Sequence, residues 1–189
     1  MSRSWLCGAG GAWAPRIKAV GAVVGYYRDV EAMRAADLEG FQTKVDQGIS
    51  AREHYEATGE AITIPAAALE GDAAMTLEST YDYYATPRAG VANYTNALAV
   101  MSREHFLTFD VQSDAALLDR PFAMVHSEGA LSPSSARKFY EGVTAEKVEH
   151  WIDGPNQTAF YDDPYLVDRA ADFVAEHLMS TLFRPDLRR

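Results

Sequence analysis

The stretch RIKAVGAVVG, residues 16 to 25, decides the fold. From Ala19 to Gly25 it is an unbroken run of small and β-branched apolar residues, too short for a buried helix and lacking the alternation of a strand with one wet face. A strand of this kind is expected where helices cover both faces of a parallel sheet. Two later stretches have related character. RPFAMVHS (120–127) is apolar through Val125 and ends in polar residues, and EKVEHWIDG (146–154) alternates less cleanly around Val148, Trp151 and Ile152 before a glycine turn.

Helical signals separate and follow these strands. Ser132-Pro133 reads as an N-cap with proline at the first helical position, and Ala136, Phe139, Tyr140 and Val143 recur at helical spacing. Asp163-Pro164 repeats that start signal before an apolar stripe of Val167, Ala170, Ala171, Val174 and Leu178. The order strand, helix, strand, helix implies an α/β fold, with parallel strands joined by right-handed crossovers and covered by helices.

Residues 26–119 are too long for one crossover and read as a helical cap inserted within a single domain of residues 1–189. Two charged stretches, DVEAMRAADLEGFQTKV and AREHYEATG, are expected to be helical. A further helix is expected to use Ala92, Leu98 and Met101 to pack on the sheet. Tyr81, Tyr83 and Tyr84 are either lining for a pocket mouth or ordinary packing aromatics.

Composition narrows the function. Twenty-seven acidic against seventeen basic residues give a net charge of -10, which repels phosphate backbones, so no nucleic-acid partner is expected. No stretch approaches the roughly 18–20 apolar residues of a membrane span, so no membrane partner is expected, and the short glycine-rich N-terminus does not suit a secretory signal. With one cysteine the chain can form no internal disulfide, and a cytoplasmic location follows.

That cysteine, Cys7, stands in SWLCGAGGAW (4–13), before Gly8, Ala9, Gly10 and Gly11. A nucleophile held at a sharp strand-to-helix turn needs small neighbours, and the amides of the following helix would favour its thiolate. A dinucleotide fingerprint fails, because Trp13 stands where its last glycine belongs and no strand precedes. A metal site fails for want of ligands at matching spacing, so no cofactor and no metal are expected.

LCGAGGAWAPRIKAVGAVVG resembles the nucleophile elbow and next strand of α/β-hydrolases of the dienelactone-hydrolase-like group, whose elbow carries cysteine or serine. RPFAMVHSEGALSPSSARKFYEG is similar to that group's acid-bearing strand, loop and helix, DGPNQTAFYDDPYLVDRAADFVAEHL to its histidine loop and last helix, and YDYYATPRAG to part of its cap. The resemblance implies a partial α/β-hydrolase fold, from the elbow onward, acting on a small ester or lactone. It makes Cys7 the nucleophile, Gly8 an oxyanion donor, and Glu128 the orienting acid, with Gly129 as the alternative occupant of the acid position.

The chain also departs from the group. Where a histidine is expected the loop has Asn156 and Gln157; an amide can position a substrate or a water but cannot take a proton from a thiol. His54, His105, His126, His150 and His177 all lie elsewhere. Trp5 stands two residues before Cys7, where the elbow is normally small. The group's half-domain of strands before the elbow, source of the second oxyanion amide, has no counterpart in the sequence, so hydrolysis is expected to be impaired. The strand at 16–25 is then left with an open edge that calls for cover by a second copy or by a complementing N-terminal half. The other reading is a noncatalytic remnant that binds or dimerises.

Overall fold

The computed structural model describes residues 16–183. Along the chain these form β1 (Val20–Val23), α1 (Val30–Ala36), α2 (Leu38–Thr58), β2 (Thr63–Ile64), α3 (Glu78–Tyr84), β3 (Leu98–Ala99), α4 (Ser102–Thr108), a 3-10 turn (Gln112–Leu117), β4 (Phe122–His126), α5 (Pro133–Gly142), β5 (Lys147–Trp151), α6 (Ala159–Asp162) and α7 (Pro164–Leu182). They divide into two compact units. One comprises the described residues up to Asp29 and those from Asp110 onward; the other is Val30–Phe109.

The first unit is an α/β layer. β1, β4 and β5 form a parallel sheet in the order β1-β4-β5, with Val20 opposite Phe122 and Phe122 opposite Lys147. The central strand is the most apolar, and all five of its residues are buried. One of its faces meets α5: Phe122 and Tyr27 both pack on Phe139, with ring centroids 6.0 and 4.8 Å apart. On the other, Val125 joins Val24, Ala130, Ile152, Ala159, Phe160, Leu166 and Ala170 in a cluster closed by Phe173 and Val174 of α7. Each large side chain buried this way stabilises the fold by about 1.5–3 kcal/mol. Gly21 is required where α7 crosses β1, since a Cβ there would lie 2.4 Å from Val174 Cγ1.

The strand expected over 16–25 is shorter, ending at Val23, because the backbone of Val24 turns to φ 40°. β1 and β5 are the outer strands of this sheet among the described residues. The two expected start signals act differently. Asp163 caps α7, its Oδ1 accepting from the amides of Tyr165 (2.9 Å) and Leu166 (3.4 Å). Ser132 occupies the N-cap position of α5 in a left-handed conformation (φ 52°, ψ 54°) with no side-chain capping bond, and it lacks the extended backbone in which a capping side chain reaches the first amides. At its other end α5 is closed by Lys147, whose Nζ donates to the carbonyls of Tyr140, Glu141 and Val143. This satisfies otherwise orphaned acceptors and sets a cation at the negative end of the helix dipole.

In the second unit the first charged stretch breaks at Asp37 into α1 and the start of α2, and the 21-residue α2, capped by Asp37, runs on through the second stretch to end at Gly59 with φ 77°. α2 and α4 approach closely at Gly48, where a Cβ would stand 2.5 Å from the amide nitrogen of Glu104. The helix expected around Ala92, Leu98 and Met101 does not form. Leu98–Ala99 instead pair antiparallel with Thr63–Ile64, and Asn96 grips the backbone of Ala67 through both its amide oxygen (2.8 Å) and its nitrogen (2.9 Å). Pro87, Gly90 and the asparagines at 93 and 96 break helical propagation there. Tyr83 packs edge-on against Tyr84, with centroids 4.9 Å apart, and Tyr84 lies 6.2 Å from Tyr94.

Candidate functional site

In an open parallel sheet, chemistry gathers at the carboxyl ends of the strands. There β4 runs out into His126-Ser127-Glu128-Gly129 and β5 into Ile152-Asp153-Gly154. The two loops are pressed together. A Cβ on Gly129 would fall 2.2 Å from the carbonyl oxygen of Gly154, so only glycine permits the approach. Ser127, fully buried, accepts from the amide of Gly129 (3.2 Å) and donates to the carbonyl of Gly154 (3.3 Å).

Gln157 closes the same junction from the other side. Its Oε1 accepts from the amide of Leu131 (3.2 Å), and its Nε2 donates to the hydroxyl of Tyr161 (2.9 Å). Asn156 serves the local chain, its Oδ1 accepting from the amide of Ala159 (3.0 Å) and the hydroxyl of Thr158 (2.9 Å). Both amides at the position read as a histidine loop are therefore engaged in holding backbone.

Glu128 is exposed and forms a two-pronged ion pair with Arg137 of α5. The guanidinium holds this carboxyl below the usual carboxylate range. An ionised, exposed carboxylate can orient a cation or accept a hydrogen bond, but at neutral pH it cannot act as a general acid. Arg137 also lies flat over Trp151, its Cζ 3.8 Å from the ring centroid, and the indole nitrogen donates to Glu149 at 2.9 Å. The structure thus brings the loops bearing Glu128 and Gln157 together while giving each side chain its own partners. Cys7 and Gly8 lie outside the described residues.

His126, which sequence reasoning set aside for its place in the chain, sits fully buried at the centre of this end of the sheet. Its ring lies 5.2 Å from Trp151 and 6.0 Å from Tyr27. Its Nδ1 faces the carbonyl of Ser127 at 3.1 Å and its Nε2 the carbonyl of Gly25 at 3.3 Å, linking the ends of β1 and β4. Burial is the main influence on it and lowers its pKa below that of a free histidine. The signal for this role was in the sequence: a histidine closing an apolar strand is usually a core group. Arg137, nine residues from Glu128, carried no comparable signal.

The other histidines have other places in the fold. His54 and His105 are exposed on helices of the second unit. His150 stacks on Phe173 (5.1 Å), and His177 is buried on α7. Among the described residues no three His, Cys, Asp or Glu side chains could together hold a metal ion, and no helix is long and apolar enough to cross a membrane.

The parallel sheet covered by helices is an α/β fold, and its likeness to solved structures shows it to be of the α/β-hydrolase type. DcsB, solved in complex with its substrate analogue, is similar at a TM-score of 0.73 and 16% identity, over 92% of this chain and 60% of that one. The α/β hydrolase GrgF from Penicillium sp. sh18 is similar at 0.66 and 18%, over 92% and 60%. A hypothetical protein from Pseudomonas aeruginosa is similar at 0.68 and 24%, over 90% and 57%. The chain therefore spans about three fifths of the length of each of these structures. The sequence matches no protein-family model and no curated protein.

Proposed function

We propose that the chain carries the nucleophile-bearing part of an α/β-hydrolase of the dienelactone-hydrolase-like group, acting on a small ester or lactone with Cys7 as the attacking group. The observation that supports this most is the joining of the β4 and β5 loops at one end of the sheet, with an ionised carboxylate, Glu128, at the acid position. In the reaction the Cys7 thiolate adds to the acyl carbon, the amide of Gly8 donates to the oxyanion, and the carbon–oxygen bond to the leaving alcohol breaks. The alkoxide takes its proton from water. A second water then adds to the thioester, releasing the acid and returning the thiol.

Glu128 and Gln157 serve as positioning groups in this scheme, because Arg137 holds the first ionised and the second is tied to Leu131 and Tyr161. With no histidine in the loop after β5 to shuttle protons, turnover is slow. The test is acyl transfer from p-nitrophenyl acetate, followed for a burst and for turnover in the parent chain and in Cys7→Ala. A burst present only in the parent supports the reading; equal rates in the two proteins reject it.

A second reading is favoured by the engagement of Asn156 and Gln157 in structural hydrogen bonds: a noncatalytic module of the same fold that pairs through β1 with a second copy or with a complementing N-terminal half. A stable, well-folded monomer in sedimentation would count against this pairing.

A further inference from the structure

The unit Val30–Phe109 contains an open groove of about 580 Å³, well away in sequence from the residues of the proposed chemistry. One wall is apolar: Ala51 of α2, Ile62, Ile64 of β2, and Val100. Ile62 is 46% exposed, so part of this wall is left facing solvent. The facing rim is polar, made from one face of α2 by Thr43, Asp46, Gln47 and Ser50, with Asp72 beside it. A smaller recess of about 360 Å³ shares Thr43, Gln47 and Asp72 with the groove and adds Asp37, Glu39 and Lys44.

The charge on this surface is one-sided once its pairing is followed. Arg103 at the groove is 6% exposed, and its guanidinium already donates to both oxygens of Asp72 and to Gln47 Oε1 (2.6 Å). That pairing neutralises the arginine and keeps the Asp72 carboxyl below its ordinary range, although more than half of that side chain faces solvent. Among the described residues Asp46 accepts on Oδ1 from the Gln42 amide (3.0 Å). Across groove and recess, four carboxylates, Asp37, Glu39, Asp46 and Asp72, stand against two cations, Lys44 and Arg103. An anion would be repelled here, while an ammonium would find carboxylate acceptors opposite an apolar wall that can cover a short chain.

We propose that this groove binds a small primary amine on an aliphatic chain, with the ammonium at Asp46 and the chain along Ile62, Ile64 and Val100.

The test is a titration of the full chain with n-hexylamine at neutral pH, followed by nitrogen-15 NMR, with n-hexanoate and n-hexanol as matched probes. Hexylammonium is expected to give saturable shifts confined to 43–51, 62–64, 72, 100 and 103, with hexanoate and hexanol binding about tenfold more weakly or worse. Asp46→Asn is expected to weaken hexylammonium roughly threefold, the size of an exposed ion pair. Ile62→Ser is expected to weaken it without unfolding the chain, since that residue is half exposed already. Asp72→Asn is not used as a probe, because it strands the buried guanidinium of Arg103. Absence of saturable shifts, equal binding of hexanol or hexanoate, or indifference to Asp46→Asn would overturn the proposal. So would a lysine-rich peptide that binds this face where hexylammonium does not.

Discussion

Replacing Gly129 with alanine tests the joint between the two loops at the carboxyl end of the sheet. The new Cβ would stand 2.2 Å from the Gly154 carbonyl oxygen and 2.9 Å from Pro155 carbon, and both are backbone atoms that no rotamer change can move aside. Normal contact begins near 3.4 Å, so the loops must separate by about 1 Å. Two hydrogen bonds depend on the present spacing: the Gly129 amide to Ser127 Oγ and the Ser127 hydroxyl to the Gly154 carbonyl. At about 0.5–1.5 kcal/mol net for each, plus about 1–2 kcal/mol of strain left after relaxation, the substitution costs about 2–5 kcal/mol. With a urea dependence of about 2 kcal/mol/M, the unfolding midpoint should fall by about 1–2.5 M. The measurement is urea unfolding followed by tryptophan fluorescence, since Trp151 lies beside His126 at this end of the sheet. Ser134→Ala, on an exposed turn of α5, serves as the control and should stay within about 0.5 kcal/mol of the parent. If Gly129→Ala also stays within that margin, the loops are not held as described.

Other perturbations probe the frame around that joint. Asp163→Ala removes the acceptor for the amides of Tyr165 and Leu166 and should lower stability by about 1 kcal/mol, read from the same urea curves; no change would mean the cap is idle. The pH dependence follows from His126. Burial depresses its pKa in the folded chain, so the unfolded chain binds the proton more readily, and the stability present above the free-histidine pKa of about 6.5 is lost as pH falls below it. Arg137 and Glu128, the charged groups nearest it, stay ionised through that window because each holds the other. His126→Asn should therefore flatten the decline in unfolding midpoint between pH 7 and pH 5; an equally steep decline in the variant would assign it to other groups.

Much of the first unit was legible because its elements announce themselves locally. The continuous apolar run through β4 and the proline-led starts of α5 and α7 need no distant partner to be read. The insertion was less legible, because what decides it acts across sequence. Asn96 is bonded to Ala67, twenty-nine residues away, and Leu98 pairs with Ile64, so a segment with helix-like apolar spacing becomes a two-residue strand. The same limit applied at the candidate site. The sequence puts Glu128 and Gln157 after strands that end side by side, but it does not reveal that Arg137 claims one and the Leu131 amide the other.

That difference bears on how the sheet's end is built for chemistry. A loop that presents a base must keep one acceptor atom facing the nucleophile, whereas the loop after β5 engages the oxygens of Asn156 and Gln157 with backbone amides that stiffen it, and Gly154 gives its carbonyl to Ser127. Gln157→His is therefore a sharper probe of the site than loss of Gln157 alone. An imidazole there gives up at least one of the two present bonds, so it should cost about 1 kcal/mol or more in stability. If it reaches the thiol it supplies the proton acceptor the loop otherwise lacks, worth about a hundredfold or more in turnover of p-nitrophenyl acetate. A stability loss with no gain in rate that depends on Cys7 would mean that this loop does not face the nucleophile, and the hydrolase reading would lose its third position.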